Sequence, residues 1–151
     1  MTSVAGIKLL NPQPTQCHGL VEAAANSLRE VARRKGLSLV VETNEDDLLL
    51  RVDRRALSQI VLLLLNNAIR FTERGSVRVG VWRRTREGGK TIEISIADTG
   101  AGVQPDEQAP LERPGSALHA SQELAAALGG RIEMASELGT GTTFTLVLPD
   151  R

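Results

Sequence analysis

Leu57, Ile60, Leu64, Ala68 and Phe71 recur at spacings of three and four, the repeat of a helix that keeps one face in a core. Asp53 precedes the run and can offer a carboxylate oxygen to amides that a first helical turn leaves unpaired, so a helix is predicted with Asp53 as its N-cap. It should end near residue 72, where Glu73, Arg74 and Gly75 follow. Upstream, Leu20, Val21, Ala24, Leu28, Val31 and Ala32 keep the same spacing across residues 17–35. Gly36 closes that helix, and Arg33, Arg34 and Lys35 place cations at its negative pole. A third helix is expected over residues 116–128, stopped by Gly129 and Gly130.

Between the helices the period changes to two. Leu37, Leu39 and Val41 alternate with polar neighbours, and after a turn at residues 43–47 a short strand is expected over 48–52. Val77, Val79 and Val81 alternate, and beyond Arg86-Glu87-Gly88-Gly89 so do Ile92, Ile94 and Ile96, the pattern of an antiparallel hairpin with one oily face. Residues 131–135 and 142–148 make a final pair around the turn at 137–141. Residues 98–114 lack periodicity, hold Gly100, Gly102, Pro105, Pro110 and Pro114, and read as a long loop, a kind that is usually functional or disordered. With strands paired locally and helices between the pairs, the expected fold is α+β: a two-layer sandwich, one mixed sheet with about three helices on one face. Asn11-Pro12-Gln13-Pro14 resists helix, so residues 1–16 read as a linker or the end of a preceding segment, and residues 17–151 as the domain.

Composition narrows the partners. Eighteen basic residues balance eighteen acidic ones, leaving no net field toward nucleic acid or an anionic membrane. Aromatic residues are 2% of the chain, too few for a base-stacking surface. Cys17 is the only cysteine, which excludes an internal disulfide or a cysteine-built zinc site and suits a reducing compartment. No apolar run approaches the roughly 20 residues that span a bilayer. A cytoplasmic, monomeric domain without direct membrane contact is expected, either by itself or as the cytoplasmic piece of a larger, membrane-bound protein.

Candidate chemistry collects at three element ends. After six consecutive apolar residues, the helix from Asp53 finishes on Asn66, Asn67, Arg70 and Phe71. Asn67 can offer a neutral oxygen to a metal and Arg70 a cation to phosphate, although a solvated last turn would use the same residue types. Asp98-Thr99-Gly100-Ala101-Gly102 follows a buried strand and sets a strong acceptor beside backbone that a ligand can approach, or else an ordinary Asp-initiated turn. Gly115 opens the third helix, whose free amides favour an anion or are simply capped.

Taken in order, Asn67-Ala68-Ile69-Arg70-Phe71-Thr72, Asp98-Thr99-Gly100-Ala101-Gly102, Gly115-Ser116-Ala117-Leu118 and Gly139-Thr140-Gly141-Thr142-Thr143-Phe144 resemble the N, G1 and G2 boxes and the final glycine motif of the ATP-binding domain of sensor histidine kinases. That domain belongs to the superfamily of DNA gyrase, the Hsp90 chaperones and MutL. The resemblance implies that Asn67 ligates the magnesium bridging the ATP phosphates, that Arg70 contacts phosphate and that Phe71 packs at the nucleotide. It implies that Asp98 accepts the adenine amine, that Gly100 and Gly102 let a lid fold over the base and that Thr142 supports Asp98. Gly115 and Leu118 would begin the helix bordering the phosphates. The implied partners are a histidine-bearing dimerisation domain and a response regulator.

The departures are specific. Leu63 stands where the kinases commonly place a second polar residue and gyrase-like ATPases a water-activating glutamate. Ala117 replaces a glycine, and only twelve residues separate Gly102 from Gly115, so the lid is short and lacks the usual phenylalanine. Losing one hydrogen bond to a charged group, about 1.5–3 kcal/mol, weakens nucleotide binding without abolishing it. His18 and His119 lack the surroundings of a phosphoacceptor and read as ordinary helix residues. An alternative is a degenerate domain retained as an interaction module for kinase or response-regulator partners. An anti-sigma serine kinase shares the fold, but the lead-in around Asn11 and Pro12 resembles the linker after a kinase dimerisation helix.

Overall fold

The computed structural model describes residues 10–42, 48–100, 117–137 and 139–150. The described elements run in the order β1 (Pro12–Gln16), α1 (Cys17–Arg34), β2 (Ser38–Glu42), β3 (Leu49–Asp53), α2 (Arg54–Phe71), β4 (Ser76–Arg86), β5 (Gly89–Asp98), α3 (Ala117–Ala127), β6 (Arg131–Glu137) and β7 (Gly141–Pro149). The five-stranded sheet has the order β2-β4-β5-β7-β6 and is mixed: β2 runs parallel to β4, and the other pairs are antiparallel. A small second sheet joins β1 to β3. The fold is the expected α+β sandwich.

Two local expectations are corrected. β2 and β3 do not pair with each other, because β2 joins β4 across the α2 crossover and β3 takes β1. Alternation identifies a strand but not its partner. Residues 12–16, read from sequence only as a helix-resistant linker stretch, form a strand paired with β3. Pro12 and Pro14 occupy alternate positions opposite Asp53 and Arg51, so on this edge strand their missing N–H groups can lie on the side away from β3. The buried hydroxyl of Thr15 sits between the Gln13 carbonyl at 3.0 Å and the Val52 carbonyl at 3.3 Å, either of which can accept its proton.

α1 packs on β2 and β4, α2 on β4 and β5, and α3 on α2 and β6. The core beneath them is aliphatic: Leu57, Ile60, Leu64 and Ile69 of α2 meet Val77, Val79, Ile92, Ile94, Ile96, Leu146 and Leu148 of the sheet. Asp53 starts α2 as predicted, its Oδ1 accepting from the Ala56 N–H at 3.0 Å while Oδ2 accepts from the Asn11 N–H at 2.8 Å. Those donors, opposed by partial burial, hold its carboxyl below the ordinary value. The opposite sheet face carries half-buried Ser95, Ala97, Thr143 and Thr145, so the molecule has two layers. No described helix is long and apolar enough to cross a membrane.

Candidate nucleotide site

Three elements meet at Asp98. As the last residue of β5 it lies opposite Thr142 at the start of β7 and opposite Val77 of β4. Its Oδ1 accepts from the Gly100 N–H at 2.9 Å and from the Thr142 N–H at 3.2 Å. Thr142 is itself steadied by a hydroxyl contact with Ser136 at 3.1 Å. Burial raises the Asp98 pKa against the pull of those two amides. Among the described residues both anchors fall on one oxygen, and none of them donates to Oδ2, the atom a ligand would use. A half-anchored carboxylate of this kind has a fixed direction and one spare acceptor, which suits an exocyclic amine.

Two glycines make the approach possible. A Cβ at Gly100 would stand 3.0 Å from both the Phe71 carbonyl and Asp98 Oδ1, which places the Asp98 turn directly against the end of α2. Gly141, at φ +137°, lies where a side chain would overlap the Asp98 carbonyl.

The end of α2 carries the remaining described candidates. Asn67 is buried, and its Nδ2 has no hydrogen-bond partner among the described residues. A buried amide nitrogen without a partner costs free energy, which singles this position out among the described residues. Arg70 is exposed with its guanidinium 5.4 Å from the ring centre of Phe71, and that ring is itself 42% exposed, unusual for a phenylalanine in a small core. Leu63, one turn earlier, is half-buried and outside the main core cluster. Leu118 is 4% exposed and belongs to the core, so it fixes α3 and has little surface to offer a ligand. Gly102 and Gly115 lie outside the described residues.

No described group of three or more His, Cys, Asp and Glu side chains could form a metal centre. Magnesium carried by phosphates does not need one, because it keeps most of its water and takes one or two protein ligands. The side-chain oxygen of Asn67 is the right kind of donor for that lesser role, whereas its Nδ2 can only donate a hydrogen bond. Two cavities among the described residues lie elsewhere: one of about 510 Å³ between the β4–β5 turn and Gly130, and one of about 620 Å³ beside Pro14, Leu20 and Leu49. Neither touches Asp98, whose buried, directional carboxylate is the stronger sign of a site.

Sequence reasoning missed the residue that completes the end of α2. Lys35, at the C-cap of α1, donates from Nζ to the carbonyls of Ile69 at 2.7 Å and Arg70 at 3.2 Å. A cation at the end of one helix gave no sign of serving a second helix 34 positions on.

Comparison with known proteins identifies the family and the fold. Residues 52–151 match the family model described as histidine kinase-, DNA gyrase B-, and HSP90-like ATPase. The circadian input-output histidine kinase CikA of Synechococcus elongatus is 32% identical over 97% of this chain, which spans 21% of that relative's length. The crystal structure of full-length ShkA in complex with AMPPNP superposes with a TM-score of 0.78 at 31% identity, covering 93% of this chain and 31% of ShkA. The catalytic domain of histidine kinase ThkA, solved free of nucleotide, gives 0.81 at 18% identity over 93% of this chain and 97% of its own, a likeness of fold. The chain belongs to the histidine kinase-, DNA gyrase B- and HSP90-like ATPase family.

Proposed function

We propose that this chain is the ATP-binding catalytic domain of a two-component sensor histidine kinase, delivering the γ-phosphoryl group of ATP to a histidine on a separate dimerisation domain. The observation that carries the reading is the Asp98 carboxylate, anchored through one oxygen by the Gly100 and Thr142 amides against the end of the helix that bears Asn67 and Arg70. Family membership and the relatives supply the reaction class.

In this reading Asp98 Oδ2 accepts the adenine amine and Thr142 holds the carboxylate. Arg70 meets phosphate, and Phe71 offers its exposed ring to the nucleotide. Gly100 and Gly102 begin the lid, and Gly115 with Leu118 leads into α3 at the phosphate end. Asn67 would hold the magnesium ion, which neutralises charge on the transferring phosphoryl group when bound. Phosphoryl transfer is mainly positioning and charge stabilisation, so the chain need supply no covalent step of its own.

The accepting histidine would come from the partner domain. His18 lies in α1, and His119 in α3 contacts Glu123 at 2.9 Å, a surface pairing along one helix. The dimerisation domain would belong to the same longer protein, a response regulator would take the phosphoryl group onward, and the catalytic domain would be a cytoplasmic monomer spanning residues 17–151 without nucleic acid or membrane contact. The β1–β3 ladder supports counting residues 12–16 with it.

The test mixes this chain with the histidine-bearing helical domain of its own full-length protein and radiolabelled ATP. Acid-labile label on the helical domain is expected. Nucleotide binding without any label transfer would sink the kinase reading and favour an interaction module.

A further inference from the structure

A helix C-terminus is the wrong pole for an anion. Its unpaired carbonyls carry about half a negative charge, yet Asn67 and Arg70 lie on the last turns of α2, where the reading above puts the phosphates. Backbone geometry does not remove the conflict. The C-cap residue Thr72 is extended, at φ −100° and ψ 116°, so no left-handed residue folds the chain back over those carbonyls.

Side chains cover them instead. The hydroxyl of Thr72 donates to the Ala68 carbonyl at 2.7 Å, and Lys35 Nζ takes the next two, Ile69 and Arg70. The fourth, that of Phe71, faces the glycine at position 100. Three cations end α1, but they are not equivalent. Arg33 and Arg34 both pair with Glu30 on their own helix, whereas Lys35 reaches across to α2.

We infer that Lys35 is a positioning residue for the nucleotide phosphates: its ammonium group offsets the negative pole of α2 and fixes the turn that carries Asn67 and Arg70. The inference rests on the ATP reading of the site. It differs from a plain structural cap in one respect, because a charge acting on phosphate must act in proportion to the charge of the ligand.

The experiment measures Kd for ATP, ADP and AMP by displacement of a fluorescent ATP analogue from the wild-type chain, Lys35→Met, Lys35→Gln and Lys35→Arg. Thermal unfolding of each is followed through Trp82. Lys35→Met should weaken ATP by about three- to tenfold, ADP by less and AMP by under about twofold, given the usual size of a helix-pole charge effect. Lys35→Arg should stay near wild type. Lys35→Gln keeps a donor for the carbonyls and loses the charge, so it should follow Lys35→Met and remains informative if Lys35→Met unfolds. Equal losses for all three nucleotides, recovery by Lys35→Gln, or no loss in a folded variant would overturn the inference while leaving the ATP reading in place. Failure of the wild-type chain to bind ATP would overturn both.

Discussion

Asp98 works under opposed demands, since burial favours its neutral form while the amides of Gly100 and Thr142 favour the carboxylate. Its pKa is raised on balance, so the charged acceptor proposed for an adenine amine is fully present only above that raised value. ATP affinity should therefore fall as pH drops through that raised value, at higher pH than an unperturbed aspartate would give, which calorimetric titration against pH would register. Asp98→Asn tests the same atom without changing its size. With the amide oxygen kept under Gly100 and Thr142, a donor NH₂ would replace Oδ2 and confront the ligand's amine, costing about 1.5–3 kcal/mol, or one to two orders of magnitude in Kd. An Asp98→Asn chain binding ATP as tightly as wild type would remove Asp98 from the adenine site. Leu63 allows the reverse experiment. It is half-buried beside the Asn67 turn and outside the main core, so Leu63→Asn should tighten magnesium-dependent binding by about tenfold with little loss of stability. Titration with magnesium and with chelator separates the two contributions.

The elements hold these residues through their ends. α2 is capped at its start by Asp53, and Asp53→Ala should cost about 0.5–2 kcal/mol in denaturant unfolding. Its carboxyl is depressed in the folded chain, so the stabilisation is complete above the unfolded carboxylate range and is lost as pH falls through the folded value. On the outer sheet face, Glu93 of β5 is only 3% exposed and receives Arg86 of β4 through two bonds of 2.6 and 2.9 Å. Arg86 is the main reason that the Glu93 carboxyl is held low, with Thr91 and Arg84 adding to it against burial. Glu93→Gln should destabilise the β4–β5 hairpin by about 1–3 kcal/mol at neutral pH, and the gap to wild type should close in acid as wild type loses the same charge. A gap that does not change with pH would mean that packing, not charge, is what Glu93 supplies.

At the scale of the whole molecule, the two sheets and three described helices bring the end of β5, the start of β7 and the end of α2 to one place, although Thr72 and Thr142 are far apart in the chain. The helices, the β4–β5 hairpin and the Asp53 cap were legible because period and capping are local properties of sequence. So were Asn67, Arg70, Phe71, Asp98 and Thr142 as candidates, through their order and spacing. The β1 strand was not legible, because proline argues against strand until an edge is available to accept it. Nor was the parallel union of β2 with β4, since alternation carries no partner information. Lys35 was hidden for a similar reason: nothing in residues 33–36 encodes which carbonyls will stand opposite once α1 and α2 have packed.

By itself, then, the sequence determined which segments would be helix or strand, which faces would be oily, and which polar residues stand unexplained at their ends. Those follow from the 3.6 and 2.0 residue periods and from the chemistry of caps and turns. Only the tertiary structure decided that one oxygen of Asp98 would be tied to two backbone amides, that the Asn67 amide would be buried with a nitrogen unpaired among the described residues, and that a lysine from α1 would cover the negative end of α2. Each depends on contacts between segments distant in the chain, fixed by how the aliphatic faces of helices and sheet fill a common core.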